Sequence, residues 1–197
     1  MSNETFSPCI VRETSGGFVR STLSDDMLAR REVELTGEID DDLANALIRE
    51  LRYLERADEV EPVTMYVNSP GGMVSSGLAI YDAMQALHCP VRTVCQGTAA
   101  SMAAVLFAAG DEREMLAHAT VMIHDPLIAG NGLTGPATLI DSKVRNLMAT
   151  RELTASLLAK HTGRTLEEIF EKTASDTYFG AQEAIDFGLA DKVLERF

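Results

Sequence analysis

Apolar positions along the chain switch repeatedly between a two-residue and a 3.6-residue period, the pattern of strands alternating with helices. Residues 32–36 alternate, with Val33 and Leu35 apolar, and Gly37 then leads through aspartates to Leu43, Leu47, Leu51 and Leu54 at steps of four and three. This predicts strand, turn and helix, with Asp40, Asp41 and Asp42 suited to the positive end of the helix dipole. Residues 63–67 predict the next strand, Asn68-Ser69-Pro70-Gly71-Gly72 a tight loop, 75–87 a second helix, and 91–96 a strand broken by Gly97. The Ala- and Leu-rich stretch 101–109 reads as a buried helix ending at Gly110, and 119–123 as a β-branched strand running into His124-Asp125-Pro126. The glycine-punctuated residues 127–134 read as an irregular strand, after which Pro136 opens a long helix reaching about His161 and stopping at Gly163. Thr165-Leu166-Glu167-Glu168 fits a capping box, one more short helix ends at Gly188, and 190–194 reads as a last strand. Near the start, Gly16-Gly17 marks a turn.

Alternating strands and helices predict an α/β domain with a largely parallel sheet, whose ligand sites gather in loops beyond the carboxyl ends of the strands. With 197 residues, 46% of them hydrophobic, and no linker or repeat, a single domain over 1–197 is expected. No run is apolar for the length a membrane helix needs, and the polar start lacks the marks of a secretory signal, so a cytoplasmic protein is expected. A net charge of −13 without any Lys/Arg cluster argues against a nucleic-acid partner. Cys9, Cys89 and Cys95 have no Cys-x-x-Cys spacing and form no zinc-ligand pattern with the histidines, so no metal site is expected and the thiols read as buried.

Three loops of the expected kind hold unusual residues: 68–72, 97–102 and 124–126. Ser101 lies past a strand at the opening of an apolar helix, where developing negative charge on a nucleophile or substrate is stabilised, although serine there is more often a simple cap. It is not the Gly-x-Ser-x-Gly elbow of the α/β-hydrolases. Gly71-Gly72 offers bare backbone N–H groups to an oxyanion or a phosphate, although a plain turn explains it as well; no Gly-x-Gly-x-x-Gly fingerprint or Walker lysine supports a nucleotide. Of the four histidines, His88 adjoins Cys89-Pro90, His118 precedes a strand, and His161 sits near a helix end where a cation is favourable. His124 ends an apolar strand on the same edge as Ser101, which suits a general base. Thirty acidic residues leave the third member of such a triad open.

The strings Tyr66-Val67-Asn68-Ser69-Pro70-Gly71-Gly72, Gly97-Thr98-Ala99-Ala100-Ser101-Met102 and Met122-Ile123-His124-Asp125-Pro126 together resemble the proteolytic subunit of the Clp protease, the ClpP family. The likeness runs from Ile10-Val11-Arg12-Glu13-Thr14-Ser15 through Leu35-Thr36-Gly37 and Ile80-Tyr81-Asp82 to His161-Thr162-Gly163 and Glu183-Ala184-Ile185-Asp186-Phe187-Gly188-Leu189. It implies an α/β fold of the ClpP/crotonase type, with repeated β-α units, an N-terminal segment over 1–20 and a protruding handle over about 127–161. It implies Ser101 as nucleophile, His124 as base, Asp176 as the carboxylate that orients it, and the N–H groups of Gly72 and Met102 as oxyanion hole. Two stacked heptameric rings, substrates in the form of unfolded proteins, and a Clp-type AAA+ unfoldase that uses the ATP are implied too, with no cofactor in this chain.

The chain also departs from that family's usual pattern. Asp125 replaces a glutamine and places a carboxylate beside the base, where it would raise the base's pKa or compete for it. Ser175 stands where an arginine usually precedes the catalytic aspartate, Ala86 replaces an aromatic of the ATPase docking groove while Tyr66 is retained, and the segment 127–138 is longer and lacks Gln-Gly-Gln-Ala. The competing readings are a non-catalytic ring subunit, which would be expected to have lost a triad member, a ClpP-like peptidase working without an ATPase, and a crotonase-fold acyl-CoA enzyme, which has no need of a Ser-His pair.

Overall fold

Strands and helices alternate as the periodicity requires, and the computed structural model describes residues 9–128 and 134–196. A hairpin of β1 (Cys9–Thr14) and β2 (Gly17–Thr22) precedes α1 (Leu23–Ala29). There follow β3 (Glu32–Ile39), α2 (Asp41–Ala57), β4 (Val63–Gly72), α3 (Val74–Gln85), β5 (Val91–Ala100) and α4 (Met102–Ala108). The chain continues with β6 (Glu112–Met115), β7 (Thr120–Ile123), α5 (Ala137–Thr162), α6 (Leu166–Thr173), β8 (Thr177–Phe179), α7 (Ala181–Phe187) and β9 (Lys192–Val193). The main sheet runs β3-β4-β5-β6-β9, all parallel, as the α/β reading anticipates. The expected irregular strand over 127–134 falls largely on residues outside those described.

The forked pairing of β5 positions the site residues. β5 is long enough to serve two neighbours: its first half pairs with β6 through Arg92–Cys95, and its second half pairs with β7 through Thr98, Ala99 and Ala100. β7 in turn takes β8 on its other side, antiparallel, with Ile123 opposite Thr177. Three chain segments, those after β5, after β7 and before β8, therefore meet at one end of the sheet.

Two predicted loops prove to be strand. β4 continues through the expected loop 68–72, because a register shift between Val67 and Ser69 is bridged by the Ser69 hydroxyl, which donates to the Gly37 carbonyl (2.6 Å) and accepts from the Gly71 N–H (3.1 Å). β5 runs on through Gly97 rather than breaking there, and the Thr98 N–H donates to the Asn68 side chain across the irregularity (3.1 Å). A Cβ at Gly97 would stand 2.5 Å from the same Asn68 oxygen, so the glycine serves a close approach rather than a turn.

The helices follow the pattern closely. In α2, Leu47, Leu51 and Leu54 are buried, with Asp40 capping the Leu43 N–H (2.8 Å). Thr165 and Glu168 form both bonds of the capping box, and Gly163 and Gly188 end their helices in the left-handed region. Every residue of α4 is buried, so it forms the centre of the core, with Leu35, Val67, Ile80 and Ile123 around it. Glu114, almost fully buried, ties β5, β6 and β9 by pairing with Arg92 and Lys192; burial pushes its carboxyl up, but those two cations hold it below the usual range. Among the described residues, no helix is long and apolar enough to cross a membrane.

The cysteines divide by position. Cys9 is exposed, whereas Cys89 and Cys95 are buried, and burial pushes the Cys95 thiol up to about 11. At neutral pH only about one Cys95 in ten thousand would be thiolate, the reactive form. The native protein is therefore expected to take up one alkylating label per chain, at Cys9, with the other two reacting only after denaturation. Intact mass before and after adding denaturant checks this, and a second rapid label on the folded chain would contradict it.

Candidate active site

Ser101 directly follows β5 and sits at φ 55°, ψ −122°, a left-handed region that non-glycine residues seldom occupy and that stores about 1–3 kcal/mol. Its neighbours hold it there: the Ser101 N–H donates to the Met122 carbonyl on β7 (2.8 Å), and its own carbonyl accepts the Ala104 N–H at the start of α4 (3.0 Å). The side chain makes no helix-capping bond, so the plain cap reading does not hold. Its Oγ lies 2.7 Å from His124 Nε2. His124 comes directly after Ile123, the last residue of β7, and its Nδ1 faces Asp176 Oδ1 at 3.3 Å. Asp176 is placed by the strand it precedes, since the next residue, Thr177, pairs with Ile123.

The three residues that the resemblance singled out are thus brought together by three adjacent strands. The two contacts differ in quality. The Ser101–His124 pair is short and partly buried, while Asp176 is 59% exposed and its contact to the imidazole is long for a hydrogen bond. Contacts of this kind tighten when the Michaelis or transition-state complex forms.

Gly71 and Gly72 end β4 beside Ser101. Gly71 has φ +88°, and a Cβ on it would stand 2.6 Å from the Ala100 carbonyl oxygen, 2.8 Å from the Ser101 Cβ and 3.0 Å from the Met102 nitrogen. The backbone of β4 therefore lies directly against the Ser101–Met102 corner, an approach only glycine permits. Gly72, at φ +155°, is crowded instead by the backbone of Ile39 on β3, whose carbonyl accepts the N–H of the next residue, Met73 (2.8 Å). Met102 is the first residue of α4, so its N–H is one of those a helix leaves without an internal acceptor. Beside the Ser-His pair a narrow cleft opens, with Val74, Met102, Ile123, Ala155 and Leu158 giving it largely apolar walls.

The expectation that Asp125 would compete for the base is corrected by its contacts. Its carboxylate accepts from Arg151 Nε on α5 (2.5 Å) and from the Thr173 hydroxyl at the end of α6 (2.7 Å), and its N–H donates to the Thr173 carbonyl (2.8 Å). Both of its oxygens are engaged away from the imidazole.

The other histidines are committed elsewhere or lie apart. His88 is exposed and paired with Glu55 (2.6 Å), which raises the imidazole, and His118 is exposed. His161 bonds the Tyr81 hydroxyl (3.0 Å), and burial, helped by Lys160 and Arg113, pushes it down. The helix-end cation expected at His161 is therefore disfavoured: burial and the neighbouring cations outweigh the helix dipole.

Sequence reasoning passed over Ser69, Arg151 and Thr173, which hold the site's backbone and the Asp125 carboxylate. The signal for the latter pair was the unusual aspartate itself, because a carboxylate placed next to a base calls for a nearby cation. The sequence model of the Clp protease matches residues 15–197, which takes in every strand and helix of the main sheet and each residue of the site described above. On that match the chain belongs to the Clp protease family, a family of peptidases.

Proposed function

We propose that this chain is a serine endopeptidase subunit in which Ser101 is the nucleophile, His124 the general base and Asp176 the carboxylate that orients it. The observation that carries this reading is the 2.7 Å approach of Ser101 Oγ to His124 Nε2. In the reaction His124 takes the Ser101 proton while Oγ attacks the scissile carbonyl, and the N–H groups of Gly72 and Met102 receive the oxyanion. The imidazolium returns the proton to the leaving amine, and water, deprotonated by the same imidazole, then cleaves the acyl-enzyme. Asp176 keeps Nδ1 protonated and favours the imidazolium. The positive φ of Ser101 supports the assignment, since strain of this kind concentrates where a side chain must be aimed.

Clp proteases self-assemble and act with partners. For this chain the assembly proposed is a pair of stacked heptameric rings in the cytosol, fed with unfolded protein by a Clp-type AAA+ unfoldase that uses the ATP; the chain itself carries neither cofactor nor metal. In support, α5 exposes Leu139, Val144, Met148 and Leu153, and the β1–β2 hairpin exposes Val11, Phe18 and Val19, apolar surface suited to contacts between subunits and with a partner.

Treatment with a fluorophosphonate probe, followed by peptide mapping and a particle-mass measurement, tests the reading. Labelling confined to Ser101 in a fourteen-subunit particle is expected. A label on another residue would sink the nucleophile assignment, and a monomer would sink the assembly.

A further inference from the structure

The aspartate beside the base is where the corner after β7, the end of α6 and the helix α5 meet. Asp125 follows His124 directly, and through its N–H and one carboxylate oxygen it is bound twice to Thr173. Thr173 is buried and ends α6, three residues before Asp176. The other carboxylate oxygen is bound by Arg151 of α5, whose guanidinium also lies 4.1 Å over the Phe170 ring of α6. The Asp125–Thr173 bonds therefore reinforce, beside the β7–β8 pairing, the spacing between the base and the segment carrying its orienting carboxylate, and α5 is clamped to both by one arginine. Arg151 and Asp125 are each mostly shielded from water, so their attraction is less screened than that of a surface pair.

We propose that Arg151 is a positioning residue for the His124 base: through Asp125 it makes the alignment of the catalytic groups depend on where α5 lies. This rests on the serine-peptidase reading of the same site. Two effects follow from the geometry. Arg151 steers the 124–125 corner, and it neutralises a carboxylate that would otherwise act on the imidazole. The ionisable side chains lining the cleft with His124 are Asp125 and Arg151, and Asp176 faces Nδ1, so removing the guanidinium leaves the base with two carboxylates and no cation among these groups. An uncompensated negative charge holds the proton on an imidazole, and a protonated base cannot accept the serine proton.

The test compares Arg151→Met, Asp125→Asn, the double variant and Arg151→Lys in the full chain, with Ser101→Ala alongside. The readouts are kcat and KM on a short fluorogenic peptide across pH, together with thermal melting. Arg151→Met is expected to lower kcat about 10- to 100-fold with KM within about threefold, the scale on which small misplacements act. It is also expected to move the acid limb of the kcat/KM profile to higher pH. Asp125→Asn should slow turnover and move that limb the other way, to lower pH, because it leaves the guanidinium uncompensated; the double variant should be no slower than the slower single one, and Arg151→Lys should recover most of the loss. Packing alone would lower the melting temperature and leave the limb in place. An unmoved limb in Arg151→Met, or losses that simply add in the double variant, overturns the proposal. If Arg151→Met fails to fold, unchanged kcat in Asp125→Asn overturns it instead. Inactive Ser101→Ala beside fully active clamp variants would remove this inference alone, whereas an active Ser101→Ala would remove the serine reading beneath it.

Discussion

Replacing Ser101 with alanine is expected to lower peptide hydrolysis about 10⁴-fold or more while leaving the fold intact. The hydroxyl bonds His124 Nε2, and the residue is only partly buried, so its loss costs the protein about one ordinary hydrogen bond, ~1 kcal/mol. Alanine also keeps the Cβ that makes φ 55° unfavourable, so the backbone strain is the same in both chains. Activity and stability should therefore separate cleanly. Turnover measured on a small peptide, set beside a thermal melt of the same sample, checks both halves. Hydrolysis within about tenfold of the parent would end the nucleophile assignment.

Gly71→Ala is expected to damage the reacting corner itself. The new Cβ would enter a left-handed position at φ +88° and meet three fixed atoms, the Ala100 oxygen, the Ser101 Cβ and the Met102 nitrogen, at 2.6–3.0 Å. None of these lies at the end of a flexible side chain, so β4 and the Ser101–Met102 corner must move apart. A loss of about 100-fold in kcat/KM and of about 3 kcal/mol in stability is expected. Gly72→Ala offers a contrast. Its Cβ would stand 2.3 Å from the Ile39 oxygen, so the strain falls first on the β3–β4 pairing and should cost more stability, while any shift of the Gly72 N–H, the proposed oxyanion donor, lowers activity as well. Denaturant melts and steady-state kinetics on both variants distinguish the two patterns; a Gly71→Ala enzyme with parental kcat/KM would mean that β4 does not touch the reacting corner in solution.

The sequence was most readable where one local rule decided the outcome. The leucine spacing of α2, the capping box at Thr165 and the glycine stop at Gly163 each appear where expected, because periodicity and end chemistry act within a few residues. Reading failed where a distant strand decided. Asn68 to Gly72 looks like a loop by composition, yet β3 and β5 on either side hold it as strand. β6, with Glu112, Arg113 and Glu114 in a run of four, has no apolar alternation, and its pairing with β5 and β9 gives it its conformation. β8 has only three residues and exists through its pairing with β7. At the site, position relative to strand ends marked out Ser101 and His124. Asp176 rested on resemblance, since among thirty acidic residues nothing local distinguishes it. The Arg151 contact was unreadable because it joins residues 26 apart across two elements.

β7 carries the base, yet among the described residues it is held on one side by only three residues of β5 and on the other by a three-residue strand. β4, by contrast, is flanked along its length by β3 and β5. Local opening begins where few bonds must break together. Amide protons of β7 and β8 should consequently exchange with solvent deuterium sooner than those of β4, in a native protein that has not unfolded. Activity could then be lost and regained through a small opening at one margin of the sheet, at far less free energy than global unfolding, with α4 and the core around it undisturbed.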